Sequence, residues 1–400
     1  MKTLAWLIAV AATLATSAAF AAEKKYGPGV TDTEIKLGQT MPYSGPASAY
    51  GTIGRSEAAF FEMLNQQGGV NGRKIRLFSV DDGYSPPQTV EQTRKLVEQD
   101  EVLAIFSPLG TPTNSATQKY LNAKKVPQLL IHSSANKWND PTGSPWSMAW
   151  PPNAHSETQV FGKYLLQGKP GAKVAVLYQN DDYGKDLLKG LREALGSKAE
   201  QMIVAAVSYE VTDPTIDSQI VSLQGAGADT LFTFATPRFA AQSIRKVYDI
   251  GWKPLHFITY PASSIGAVLT PAGLDKSTGL ITSGFVKDPV DPRWKSEPAF
   301  QEWVAFMKKS YPEGDLTDVL NVWGYMTAQV MAQILKQCGD ELTRENVMKQ
   351  AANLKNFELP LYLPGIRNNT SASDYRVIRQ MYLMRFDGKK WVVFGDLQGG

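Results

Sequence analysis

Short apolar runs alternate with helix-length amphipathic stretches through most of the chain. The runs fall at 35–40, 74–80, 102–107 and 128–132, then at 173–178, 203–209, 230–234 and 256–259. Each is bounded by turn residues, as buried strands of a parallel sheet are. The rhythm predicts α/β architecture with parallel sheets. Between the two series, residues 140–153 read DPTGSPWSMAWPPN, and their prolines and glycine exclude a continuous helix. This break marks a first crossing between two lobes, and two series of similar rhythm predict two similar domains, although no sequence repeat is visible. After Gly284 the pattern is helical over 298–310, 318–337 and 343–353, with Thr343, Glu345 and Asn346 forming a helix start. The chain closes on a hairpin signal: 377–386, an Asp387-Gly388 turn, and 391–394. The economical arrangement returns the helices to the first lobe and the hairpin to the second.

The stretch 35–64, IKLGQTMPYSGPASAYGTIGRSEAAFFEML, reads as strand, Gly/Pro/Ser loop and helix, with Ala58, Ala59, Phe60, Phe61 and Leu64 forming an apolar stripe from Ser56 onward. A helix N-terminus presents unpaired N–H groups and partial positive charge, which suits a polar or anionic small ligand near residues 44–54. The same residues also suit an ordinary strand-to-helix connection.

Lys2, an apolar run over 4–15 and Ala19-Phe20-Ala21 have the form of a cleavable secretory signal, expected to span residues 1–21. No later run approaches the roughly 20 apolar residues that a bilayer span needs. The expectation is a soluble protein in a periplasm. Cys338 is the only cysteine, so no intramolecular disulfide can form and the cores must carry stability. The net charge of +3 is made of interspersed acids and bases, which gives no reason to expect nucleic acid or an acidic membrane as partner.

Catalytic motifs are missing: there is no G-x-S-x-G elbow, H-E-x-x-H pair, P-loop or paired-cysteine site. His132, His155 and His256 fall in separate segments without metal-ligand spacing, although His132 and His256 sit at strand ends where either can reach a ligand. Asp81-Asp82 and Asp181-Asp182 each follow a strand, where capping or bracing a loop is the simpler role. Neither a catalytic residue, a metal site nor a cofactor is assigned. An exported enzyme using the Asp pairs and a sensory binding module remain the competing classes.

The segments YSGPASAYG (43–51), NQQGGVNGRKI (65–75), DDGYSPPQTV (81–90) and YQNDDYGKD (178–186) resemble the leucine/isoleucine/valine-type periplasmic solute-binding proteins of ABC importers. HSSANKWNDP (132–141), PWSMAWPPN (145–153) and KQCGDELTRENV (336–347) resemble a branch associated with aromatic or other carboxylates. The resemblance implies two Rossmann-like lobes joined by a three-strand hinge, with crossings at 140–153, 281–284 and 360–364. Lobe 1 is then 26–151 plus 284–358 and lobe 2 is 152–283 plus 359–400. It further implies lobe closure on a ligand, delivery to an inner-membrane permease and its ATPase, a monomer, and no reaction.

Carried over by position, Tyr50 matches the loop tyrosine beside the ligand, and Gly110 with Thr111 the small or hydroxyl residues after the third strand. Ser133, Ser134 and Ala135 match the segment that holds a ligand carboxylate through hydroxyl and backbone N–H groups. Tyr183 matches the tyrosine that closes over the ligand, and Thr236 falls at an otherwise aromatic position. Amino-acid binders of this family usually carry an acid after the fourth strand of the second lobe, but this chain reads Tyr260-Pro261-Ala262-Ser263-Ser264. Burying an ammonium there without a carboxylate would cost about 2–5 kcal/mol. The expected ligand is therefore a carboxylate without an α-amino group. An aromatic acid is favoured by Tyr43, Tyr84, Trp138, Trp150 and Tyr260 near the cleft. Asp181 or Asp182 could still supply the missing charge and keep amino acids as the alternative. Arg238 is either a second anion anchor or an exposed helix-start residue.

Overall fold

The computed structural model describes residues 24–399. The leader expected at 1–21 lies outside them. Five strands form the first sheet in the spatial order Lys74–Asp81, Glu34–Met41, Ala104–Phe106, Gln128–Ile131, Ser147–Ala149, all parallel. The second sheet begins the same way, with Ile203–Tyr209, Val174–Gln179, Thr230–Phe234, Leu255–Ile258 and Ile281–Gly284 parallel. Met381–Phe386 and Trp391–Gln398 then add an antiparallel hairpin to its edge. In both sheets the first strand in the chain lies between the second and the third, so strand order reverses beside it. Such a reversal opens a crevice at the carboxyl ends of the strands. The same parallel-sheet α/β unit is thus present twice, once in each of two lobes, without a sequence repeat.

Alternation explains the outer strands and continuous burial the inner ones. The edge strand Ile203–Tyr209 alternates half-buried and exposed residues over its first half, whereas every residue of the inner strand Thr230–Phe234 is buried because helices cover both faces. Helix Gly51–Gln66 lies along helix Val319–Cys338. Gly324 permits the approach, since a Cβ there would stand 2.4 Å from the Ile53 carbonyl oxygen. Ser56 Oγ donates to the Asn321 carbonyl at 2.8 Å across the same contact.

Several elements differ from the pattern-based expectation. Helix Gly51–Gln66 starts before Ser56, Ala58 faces solvent, and Glu57 is buried in its place. A three-residue strand, Ser147–Ala149, lies inside the 140–153 break, too short for periodicity to register. The final hairpin begins at Met381 rather than 377, because Val377 and Ile378 are buried in irregular backbone.

Three segments pass side by side between the lobes. The Trp150 ring meets Phe285 edge-on at 5.4 Å, and its Nε1 donates to the Tyr362 hydroxyl at 3.2 Å. Lys287 N donates to the Leu361 carbonyl at 2.8 Å and Leu363 N to the Phe285 carbonyl at 3.0 Å. These bonds tie the crossings into one strip under the crevice.

Candidate functional site

Both sheets aim their strand ends at one space. In the first lobe Tyr84 follows the second strand, Leu109, Gly110 and Thr111 the third, and His132, Ser133 and Ser134 the fourth. Tyr50 and Ile53 come from the loop and helix after the first strand. The second lobe supplies Tyr183, Thr236 and Tyr260 with Pro261 after its first, third and fourth strands. Pro151 from the crossing and Trp323 from helix Val319–Cys338 complete a pocket with about 450 Å³ of unoccupied space, part of it open to solvent.

Eight of the nine positions singled out in the sequence line this pocket: Tyr50, Gly110, Thr111, Ser133, Ser134, Tyr183, Thr236 and Tyr260. Ala135 does not. It is fully buried in a small cluster with Ile131, Trp138 and Ala149, and its N–H is directed to Ser133 Oγ at 3.3 Å. The role of carboxylate donor expected for Ala135 is therefore withdrawn: its side chain packs the wall and its amide is spent internally. Trp138, expected near the cleft, is also wall rather than lining, with Nε1 donating to Ser133 Oγ at 2.7 Å.

Those two donors decide which way the hydroxyls point. Ser133 Oγ accepts from Trp138 Nε1 and Ala135 N, so its own proton goes to Thr111 Oγ1 at 2.6 Å. The Thr111 proton is then free for a ligand. Ser133 positions Thr111, and Thr111, at the start of helix Thr111–Ala123, is the donor offered to the pocket beside unpaired first-turn N–H groups. Gly110 holds this corner at φ 99°, where a Cβ would lie 2.5 Å from the Tyr84 ring. Tyr84 itself sits at φ 60°, a strained conformation of the kind that clusters at binding sites.

Among the described residues, no Asp, Glu, Lys or Arg lines the pocket. Asp181 accepts from Gly184 N at 3.1 Å as a helix cap, with burial pushing its carboxyl up to about 6, and Asp182 pairs with Lys137 at 3.1 Å near the surface. Neither supplies the missing acid. Arg238 is exposed and donates to the Pro214 carbonyl at 2.9 Å, so it is not an anion anchor. Asp81 and Asp82 brace their loop through the N–H groups of Tyr43 and Tyr84. His256 is buried on Thr233, 2.9 Å from Oγ1, and His155 lies at the surface beside Glu193.

Two buried acids stand behind the lining. Glu57 accepts from Gln39 Nε2 and Ser107 Oγ, each at 2.5 Å, and lies 3.7 Å from His132 Nε2; burial holds its carboxyl well above the usual range. Glu157 accepts from the Tyr260 N–H at 2.9 Å and Ser283 Oγ at 2.7 Å, and burial pushes it up to about 8. Periodicity gave no sign of either, because a glutamate inside a helical pattern reads as solvent-facing. Trp323 was equally hidden, as one aromatic in an apolar helix.

The lobes meet over the pocket. Tyr50 Oη donates to the Pro261 carbonyl at 3.1 Å, Ser264 Oγ to Asp318 Oδ1 at 2.8 Å, and Asn136 N to Asp186 Oδ2 at 2.7 Å. Among the described residues no cluster of three or more His, Cys, Asp or Glu has the arrangement to hold a metal ion, and no helix is long and apolar enough to cross a membrane.

The sequence pattern described as periplasmic binding protein matches residues 34–390. The chain belongs to the periplasmic binding protein family. An "Amino acid binding protein" of Pseudomonas aeruginosa is 25% identical over 54% of this chain, a stretch that spans 58% of that relative's length. The fatty acid ABC transporter substrate-binding protein from Thermomonospora curvata is similar in structure, with a TM-score of 0.78 and 26% identity over 94% of this chain and 95% of its own. A Rhodopseudomonas palustris solute-binding protein in complex with benzoate shares the fold at a TM-score of 0.74, with 18% identity over 92% of this chain and 96% of its own.

Proposed function

We propose that this protein is the periplasmic binding component of an ABC importer, capturing a small carboxylate that lacks an α-amino group, an aromatic acid foremost. The observation that carries the reading is the lining: hydroxyls, a helix N-terminus and aromatic rings, with no side-chain carboxylate to pair an ammonium. Thr111 and the first-turn amides suit an anion, while Tyr50, Tyr84, Tyr183, Tyr260 and Trp323 provide flat apolar walls. Relatives that handle a fatty acid and benzoate support an acid ligand. Export through the leader, delivery to an inner-membrane permease and ATPase, a monomeric state and the absence of catalysis complete the proposal.

The alternative is an amino-acid ligand, favoured by the Pseudomonas aeruginosa relative and by one buried oxygen, Glu157 Oε2, that has no partner among the described residues. Its carboxyl stands behind Tyr260 and does not line the pocket.

A thermal-shift panel on refolded, ligand-stripped protein tests the choice. Benzoates, phenylpropenoates and short aliphatic acids are compared with leucine and other amino acids. A ligand at 100 times its dissociation constant adds about 2.7 kcal/mol of stability. Stabilisation by amino acids alone would sink the proposal.

A further inference from the structure

Three pocket-lining side chains carry buried polar atoms with no partner among the described residues: His132 Nδ1, Trp323 Nε1 and Ser134 Oγ. Their residues are only 7%, 4% and 3% exposed. Buried polar atoms are nearly always hydrogen-bonded, so a partner is owed to each. What that partner must be follows from the neighbours.

Thr327 fixes the proton on His132. Its hydroxyl donates to the Trp323 carbonyl at 2.9 Å, which uses its one proton, so toward His132 Nε2 at 3.3 Å it can only accept. Nε2 therefore carries the hydrogen. Among the described residues, Glu57 Oε1, 3.7 Å from the same nitrogen, is the one charged or acidic group facing the ring; Trp150 and Trp323 pack against it without titrating. Burial without a closer ion pair keeps the imidazole neutral, its pKa pushed down to about 3. Nδ1 is left as a bare acceptor. Trp323 Nε1–H can only donate, and its ring lies parallel to the imidazole, 8° between planes and 6.1 Å between centroids.

Two stacked rings whose residues both line the pocket thus carry one unmet acceptor and one unmet donor. A carboxylate only accepts and an ammonium only donates, so neither answers both. A hydroxyl or a carboxamide answers both and brings no charge into a wall that has nothing to neutralise it. We propose that His132 Nδ1 and Trp323 Nε1 select a ligand bearing a neutral hydroxyl or carboxamide in addition to its carboxylate. The inference rests on the carboxylate reading only for the other end of the ligand, at Thr111.

Calorimetry on the wild type and on His132→Gln tests it. Gln keeps a donor for Thr327 and lacks the Nδ1 acceptor. The probes are benzoate with its hydroxy and carbamoyl derivatives, butanoate with its hydroxy derivatives, and phenol and benzyl alcohol, which have no carboxylate. At least one substituted acid is expected to bind about 10-fold or more tighter than its parent, and that ratio to fall to near one in His132→Gln. Equal binding of parents and derivatives in the wild type overturns the inference, as does a ratio that survives the substitution. Acids that fail while phenol or benzyl alcohol binds in a His132-dependent way would overturn the carboxylate reading and leave this one standing; a panel in which nothing binds overturns both. Should the variant not fold, nitrogen NMR of the wild-type imidazole decides. The free protein must show the Nε2-protonated tautomer, and a tautomer protonated at Nδ1 refutes the argument.

Discussion

Replacing Glu157 by Gln isolates one buried carboxyl whose protonation depends on the fold. The side chain is fully buried, and its carboxyl is raised from 4.5 to about 8, with burial the leading cause. At about 1.36 kcal/mol per unit, that difference corresponds to about 5 kcal/mol between the two ends of the range. The sign follows from proton counting. Between pH 4.5 and 8 the folded protein holds a proton on Glu157 that the unfolded chain has released, so the favourable contribution, complete below 4.5, is lost as pH rises through 8. Glu157→Gln removes this proton while keeping an oxygen for the Tyr260 N–H and the Ser283 hydroxyl. Urea unfolding of both proteins at half-unit steps from pH 5 to 8 is the assay. The variant should gain on the wild type by about 1.4 kcal/mol per pH unit across that window, whatever its offset at pH 5. Parallel stability curves would refute the reasoning, because they would mean Glu157 ionises in the folded protein as it does in the unfolded chain.

Other consequences are as direct. Thr111→Val removes the free hydroxyl proton oriented by Ser133 and should weaken a carboxylate ligand by about 10- to 100-fold in calorimetry, with a stability loss of about 1–3 kcal/mol because the buried Ser133 hydroxyl loses its acceptor; unchanged affinity would place the anion elsewhere. Ser264→Ala deletes a bond between the lobes to Asp318 and should speed ligand release by about fivefold in stopped-flow fluorescence, since that bond exists only when the lobes meet. Cys338 is buried, with its thiol pushed up to about 12, so it should resist a thiol reagent at pH 8 in the native protein and react fully in denaturant; rapid native labelling would contradict its placement.

Much of the fold was legible from residue order because burial period is a local property. The alternating strand and helix patterns located eight of the ten parallel strands of the two sheets, missing Ser147–Ala149, which is too short to show a period, and Ile281–Gly284, which entered only as a crossing implied by the family resemblance. Ligand-facing positions came from the family resemblance rather than from periodicity: Tyr50, Thr111, Ser133, Tyr183 and Thr236 were matched to the family's motifs and Tyr260 to a departure from them, and all follow strands 1, 3 and 4, whose ends meet the crevice of a doubly wound sheet.

Tertiary structure alone decided the chemistry of those positions. Ser133 and Ala135 look alike as donors in the chain, yet contacts with Trp138 turn one into a support for Thr111 and the other into wall. Glu57 and Glu157 stand in helices where sequence predicts solvent, and only packing against distant Gln39, Ser107, Tyr260 and Ser283 makes them buried acids. Trp323 enters the pocket from a helix nearly 200 residues beyond His132, its stacking partner. The sequence by itself determined the α/β rhythm, the two lobes and the strand ends that bear the site, because these follow from local periodicity. Which hydroxyl has a proton to give, which acid is neutral and which polar atoms lack a partner depend on atoms brought together from remote parts of the chain, and only the folded structure sets them.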